Sequence, residues 1–367
     1  VRIVIFGLTI SSSWGNGHAT LWRGLCKYLV RSGHSVAFFE RDVPYYAGAR
    51  DLSEIPGGQL VLYSAWDDIR SLAQTSVLEA DAAIVTSYCP DALAATELML
   101  GQDRATPVFY DLDTPVTLAK LQSGEPVPYI GPAGLEGFAL VLSFTGGRRL
   151  FDQFRSKLGA RDIRPLYGHV DADVHRPVPA QAHYSADLSY LGTYSEDRQR
   201  ALEELFVAPA RFRQDLRFLI GGAQYPADFP WSSNIYFVRH LPPSEHAPFF
   251  ASSRLTLNVT RPAMAEMGWC PSGRLFEAAA CGVPLLSDGW TGIEGFFEPG
   301  EEIMLAHDAQ DTLAALQLGR DELSVMAKRA RERTLDQHGS DKRATELVAL
   351  LEHAASRGAR QPVTEGA

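Results

Sequence analysis

The chain alternates short apolar strands with helical stretches, and it does so twice, on either side of one proline-rich segment. Strands separated by helices cannot pair as tight hairpins; they build parallel sheets through crossover helices, which restricts the fold to the α/β class. The first block opens with a strand at Arg2 to Phe6, a loop from Gly7 to Gly17, a helix from Ala19 to Arg31 ended by Gly33, and a strand at Ser35 to Phe39. Further strands are expected at Leu60 to Tyr63, Ala82 to Thr86, Val108 to Asp111 and Leu140 to Phe144, with helices at Pro90 to Leu100 and Gly147 to Leu158. Pro165 to Pro179 has the composition of a linker. The pattern then restarts with a strand at Leu188 to Leu191, a loop from Gly192 to Arg198 and a helix beginning over Gln199 to Leu205. Strands at Arg217 to Ile220, Ile235 to Val238 and Leu255 to Asn258 follow, and helices at Glu322 to Arg333 and Asp341 to Glu352 close the block.

Composition narrows the class. The 367 residues suffice for two domains, and 46% hydrophobic with 21% charged residues argues for ordinary cores rather than disorder. Cys26, Cys89, Cys270 and Cys281 show no paired metal spacing and are too sparse for a disulfide framework, so a reducing compartment is the simplest reading. A formal charge of −10 argues against broad nucleic-acid binding. The apolar opening run is one strand long and lacks a basic lead, and no stretch approaches the ~20 apolar residues of a membrane helix. These features predict a cytoplasmic protein with no membrane span and leave its oligomeric state open.

The segment from Pro271 to Ala306 is the richest in chemistry. Ser272 is placed to cap a helix on which Leu275, Phe276, Ala279 and Ala280 share one face while Arg274, Glu277 and Cys281 share another. Gly282 ends that helix, Val283 to Ser287 is a short buried strand, and Asp288 to Gly292 is a loop at the carboxyl end of that strand, where open α/β sheets bind ligands. Gly289 and Gly292 let backbone amides approach a diphosphate. The run Pro-Ser-Gly-Arg-Leu-Phe-Glu-Ala-Ala-Ala-Cys-Gly-Val-Pro, then Ser-Asp-Gly-Trp-Thr-Gly-Ile-Glu-Gly-Phe-Phe-Glu-Pro-Gly-Glu-Glu-Ile, resembles the donor-site signature of the CgeB-like glycosyltransferases, a branch of the GT-B class.

That resemblance implies two Rossmann-like α/β domains facing each other across a cleft. The expected division is an acceptor-side domain at 1–168, a linker at 169–180, a nucleotide-sugar domain at 181–338, a helix at 339–355 packing back on the first domain, and a flexible tail at 356–367. The resemblance also implies sugar transfer from a nucleoside-diphosphate sugar, of the UDP-sugar kind, to an unidentified acceptor. No cofactor is expected to be tightly bound, and no metal. Glu277 would accept hydrogen bonds from ribose hydroxyls, and Ser272, Gly273 and Arg274 at the helix start would face the diphosphate. Asp288, Gly289, Trp290, Thr291, Gly292 and Glu294 would complete the donor loop. Relatives that retain configuration carry a glutamate eight positions before the ribose glutamate; here that position is Trp269, with Glu266 eleven before, so the stereochemical outcome stays open.

The remaining candidates follow from placement at strand ends. Trp14, Gly15, Asn16 and Gly17 form an acceptor-side loop leading to His18, whose imidazole suits a general base at neutral pH, although a helix-terminal structural role is an equal alternative. Asp111 and Asp113 alternate at strand spacing and are placed to orient His18 or to accept a proton themselves; for each, a cap or turn role is the alternative. Arg198 and Arg261 follow strands of the second block and are placed to neutralise a departing nucleoside diphosphate. Three other readings stand beside this one. A dinucleotide oxidoreductase fails on spacing, because Gly15 and Gly17 have no third glycine at the required offset before Glu40. A nucleotide-sugar epimerase and a catalytically silent nucleotide-sugar-binding scaffold use the same fold.

Overall fold

The computed structural model describes residues 1–358, which divide into two compact units: 1–167 with the final helix from Asp341, and 168–340. Each unit is a parallel sheet. In the first, β1 (Arg2–Gly7), β2 (Ser35–Arg41), β3 (Gln59–Tyr63), β4 (Ala82–Thr86), β5 (Thr106–Asp111), β6 (Leu140–Ser143) and β7 (Ile163–Pro165) lie in the order β3-β2-β1-β4-β5-β6-β7. In the second, β8 (Leu188–Leu191), β9 (Phe218–Gly222), β10 (Ile235–Arg239), β11 (Thr256–Asn258), β12 (Leu285–Ser287) and β13 (Ile303–Leu305) lie in the order β10-β9-β8-β11-β12-β13. The central strands β4, β6, β8 and β9 are buried along their whole length because helices cover both faces, which is why they read as unbroken apolar runs.

In both units the strand order reverses beside the first strand. Neighbouring strands β1 and β4 send their chains to opposite sides of the first sheet, and β8 and β11 do so in the second. A crevice opens at the carboxyl ends of such a pair, and ligands of open α/β sheets bind there.

The helix that follows Arg198 is irregular for a local reason. It runs as an α-turn at Gln199–Leu202, a π-turn at Glu203–Val207 and an α-turn at Ala208–Phe212. Pro209 has no N–H to give to the Leu205 carbonyl, and the buried Thr312 hydroxyl supplies that bond at 3.1 Å. The helix Ser340–Gly358 lays Ala344, Leu347, Leu351 and Ala354 into the first unit at helical spacing, and Arg357 pairs with Asp162 at 3.0 Å. Residues 356–358 of the expected tail belong to this helix, and 359–367 lie outside the described residues. Among elements absent from the expectation are the helices Trp66–Glu79, Thr114–Ser123, Pro243–Ala251 and Ala309–Ala315.

Candidate active site

Helix Gly273–Cys281 links β11 to β12, and its N-terminus opens on the carboxyl side of the second sheet. Ser272 Oγ accepts the Arg274 amide at 3.3 Å, and Gly282, at φ +79°, ends the helix in the left-handed conformation that glycine adopts without strain. The expected division into an apolar and a polar face does not hold. Every residue from Leu275 to Cys281 is buried, Glu277 included, because the helix is enclosed on all sides.

Arg274 is partly buried, and burial, then the nearby Arg198 guanidinium, pulls its pKa below the usual arginine value; Tyr190, Glu277 and Tyr225 act the other way. Arg198 follows β8 and donates through Nη2 to the Thr193 carbonyl at 2.5 Å, while its Nε is buried without a partner. Neither guanidinium is in an ion pair among the described residues. Arg261, after β11, is different: its Nε donates to Asp197 at 2.7 Å. Burial opposes the Asp197 charge, but bonds from Ser195 and Arg261, with the charges of Arg261 and Arg198, hold the carboxyl below its usual range. Two guanidinium groups that stand in no ion pair among the described residues thus lie at a strand-order reversal beside a helix N-terminus.

Glu277 lies deeper in this unit. Its Oε1 is 3.8 Å from His175 Nε2 and its Oε2 3.6 Å from His246 Nδ1. Burial works against the charge, but the two imidazoles and Arg274 outweigh it and hold the carboxyl well below the usual carboxylate range.

The loop after β12 is braced from within. Asp288 accepts from the Thr260 amide and hydroxyl at 2.9 and 3.0 Å and from Ser287 at 3.3 Å, tying the ends of β11 and β12 together; burial raises its pKa. Gly289, Thr291 and Glu294 are exposed, whereas Trp290 is buried with its Nε1 unpartnered. Gly292 has φ +90°, and a Cβ there would stand 2.4 Å from the Trp269 ring. Trp269 is itself left-handed at φ +50° and donates its amide to the Thr291 carbonyl at 2.7 Å. Gly292 is therefore required by its own backbone and by the packing of Trp269, independently of any ligand. Glu266 is exposed on the short helix Pro262–Met267.

In the first unit the β1 loop is pinned by Glu40, a residue that sequence reasoning had weighed only as a dinucleotide feature. This buried carboxylate accepts from Thr9 Oγ1 at 2.7 Å, the Ile10 and Ser11 amides at 2.8 and 3.0 Å, and Ser11 Oγ at 2.5 Å. A carboxylate so engaged is not presented to a ribose. Asn16 Oδ1 accepts the His18 amide at 3.1 Å, and Ser13 and Trp14 are half-buried before the exposed Gly15. His18 opens its helix half-buried, its ring 6.0 Å from Phe144, whose amide in turn donates to the Asp111 carbonyl.

Asp111 and Asp113 do not alternate along one strand. Strand β5 stops at Asp111, and Asp113 takes the cap position of the next helix, with its amide donated to Asp111 Oδ1 at 3.1 Å. Asp111 is fully buried, and burial pushes its pKa up to about 7 against the bonds from Thr117, Asp113 and Ser87. Tyr88 stands over this pair with a left-handed backbone at φ +63°, its hydroxyl bonded to Asp113.

Residues 198–349 match a family model described as glycosyl transferase-like. No curated protein matches the chain closely enough to serve as a relative. Among solved structures, a sucrose-phosphate synthase from Thermosynechococcus elongatus superposes with a TM-score of 0.69 at 13% identity, over 97% of this chain and 99% of that one. An alpha-glucosyltransferase in complex with UDP-glucose and DNA gives 0.69 at 12% identity over 96% and 99%. HepE from Anabaena in complex with UDP-glucose gives 0.66 at 12% over 96% and 99%. Identities this low speak for the fold. The chain thus has the two-domain α/β fold of the GT-B class, and its residues 198–349 are similar to a glycosyl transferase-like family model.

Proposed function

We propose that the protein is a metal-independent glycosyltransferase of the CgeB-like kind that takes its sugar from a nucleoside-diphosphate sugar, UDP-sugars foremost. The observation that carries this reading is the pair Arg198 and Arg274, two mutually repelling guanidinium groups of which neither is in an ion pair among the described residues. Like charges held together raise the energy of the free protein, and a bound diphosphate relieves that repulsion. The departing diphosphate gains charge as the glycosidic bond breaks, so the same guanidinium groups favour the transition state over the ground state. Arg261, already paired with Asp197, contributes less. Glu277 is the ribose ligand: each carboxylate oxygen has lone pairs beyond the one facing an imidazole.

The first unit supplies the acceptor side. His18, half-buried at its helix start, is the base that takes the proton of the acceptor hydroxyl. Asp111 is too deeply buried to touch an acceptor and instead positions the turn that carries Asp113. A net charge of −10 argues against broad nucleic-acid binding and favours an acceptor of another class.

A panel of UDP-, GDP-, ADP- and dTDP-sugars, assayed for release of the free diphosphate, tests the reading. Turnover of one base class, lost in Arg198→Ala and Glu277→Ala with folding retained, is expected. Binding of a sugar nucleotide without any release would point to the silent scaffold, and release of an epimerised sugar nucleotide to an epimerase.

A further inference from the structure

The surroundings of Glu277 hold more than a ribose ligand needs. His175 ends a tight turn in which its amide donates to the Asp171 carbonyl at 2.9 Å; His246 lies on helix Pro243–Ala251; Glu277 lies on helix Gly273–Cys281. The three side chains are 2%, 13% and 6% exposed. Three segments distant in the chain thus bring one carboxylate and two imidazoles together in the interior of a single unit.

The spacing distinguishes two kinds of arrangement. His175 Nε2 is 3.4 Å from His246 Nδ1, and the imidazole-to-carboxylate separations are 3.8 and 3.6 Å. A hydrogen-bonded imidazole and carboxylate approach to about 2.7–3.2 Å. Ligands placed tetrahedrally around a zinc-class ion, with bonds of about 2.0–2.1 Å, stand about 3.4 Å apart. The imidazole-to-carboxylate separations, one to each oxygen of Glu277, exceed the hydrogen-bonded range, the two imidazole nitrogens meet at hydrogen-bond distance, and all three separations are close to the tetrahedral edge.

The outer contacts agree. His246 Nε2 is 3.3 Å from the Leu241 carbonyl, an acceptor only, so Nε2 carries the proton and Nδ1 turns its lone pair toward the other two side chains. Metal-bound histidines are oriented by this kind of bond from the remote nitrogen to a backbone carbonyl. His175 likewise turns Nε2 inward, and its Nδ1 is buried with no hydrogen-bond partner.

We propose that His175 Nε2, His246 Nδ1 and one oxygen of Glu277 bind a divalent transition-metal ion of the zinc class within the second unit. Two imidazoles and one carboxylate favour Zn²⁺ or Co²⁺ over Mg²⁺ or Ca²⁺, which take oxygen ligands. Water fills the fourth position. The ion clamps the Asp171 turn to two helices and leaves the second Glu277 oxygen for a hydroxyl ligand. The inference is independent of the transferase reading, because it is tested by metal content.

The untagged full-length chain is stripped with EDTA and titrated with Co²⁺ and, separately, with Zn²⁺. The expected result is one equivalent per chain, with the visible d–d absorption of four-coordinate Co²⁺, displacement of Co²⁺ by Zn²⁺, and a thermal midpoint that rises on adding Zn²⁺. His175→Ala and His246→Ala should each abolish the Co²⁺ spectrum while far-UV circular dichroism stays native. If either variant unfolds, the wild-type spectrum and stoichiometry decide alone. Absence of saturable binding by the stripped wild type, or a Co²⁺ spectrum unchanged in both folded variants, would overturn the proposal.

Discussion

Arg274→Met should move stability and ligand binding in opposite directions. The guanidinium is partly buried, disfavoured by burial and by Arg198, and held by no ion pair among the described residues, while the residue lines a small cavity with Leu191, Phe250 and Leu257. Methionine keeps an unbranched stem of similar reach and removes the charge. Replacing buried charged groups with packed apolar ones ranges from neutral to stabilising by about 1–4 kcal/mol. Glu277 attracts the guanidinium and offsets part of the gain, which places the substitution at the lower end. At about 2–4 °C per kcal/mol for a unit of this size, the ligand-free thermal midpoint should stay level or rise by up to about 4 °C. The bound state loses a charge-assisted hydrogen bond of about 1.5–3 kcal/mol, which weakens diphosphate binding by about 10- to 150-fold. Scanning fluorimetry of the ligand-free protein, paired with calorimetric titration of UDP at fixed ionic strength, reads both quantities. A midpoint several degrees lower with UDP affinity unchanged would refute the reasoning and make Arg274 a packing residue.

Other substitutions probe the scaffold and the first unit. Gly292→Ala combines a left-handed backbone with a Cβ 2.4 Å from the Trp269 ring, so chemical denaturation should show a loss of about 2–4 kcal/mol. Thr312→Val leaves the Leu205 carbonyl opposite Pro209 without a donor, and equilibrium unfolding should report about 1–3 kcal/mol lost. The folded pKa of Asp111, about 7, lies above its unfolded value, so the native state holds the extra proton between about pH 4 and 7. That contribution to stability is present at low pH and declines as pH rises toward and through 7, by about 1.4 kcal/mol between pH 6 and 8. Asp111→Asn should flatten the decline in thermal midpoint over this range, and parallel wild-type and variant curves would count against the buried carboxylate as its source.

Much of the fold was legible because parallel strands buried on both faces announce themselves as apolar runs. Ala82–Thr86 and Leu188–Leu191 match the expectation residue for residue. Helix Trp66–Glu79 was missed although Ile69, Ala73 and Val77 repeat every four residues, because its polar positions carry mixed Asp, Ser, Thr and Gln that also suit a loop. Strand Ile303–Leu305 is too short for any periodicity. At the candidate site the cap at Ser272 and the stop at Gly282 follow from local chemistry and were readable, as was the placement of Arg198 after β8. The partners of Glu277 were not. His175 lies in a segment whose prolines marked it as a linker, and His246 on a helix interrupted by Pro248, so only the tertiary fold brings them to Glu277. The tie between Trp269 and Gly292 likewise joins two loops with no local signal.

Calorimetric titration with UDP, GDP, ADP and dTDP, each against its own monophosphate and against NAD, tests the donor reading most directly. At least one diphosphate should bind, its monophosphate should bind at least about tenfold more weakly because the second phosphate meets Arg198 and Arg274, and NAD should not bind. Equal affinity for the diphosphate and the monophosphate, or binding of NAD alone, would contradict the assignment of this site to a sugar-nucleotide donor.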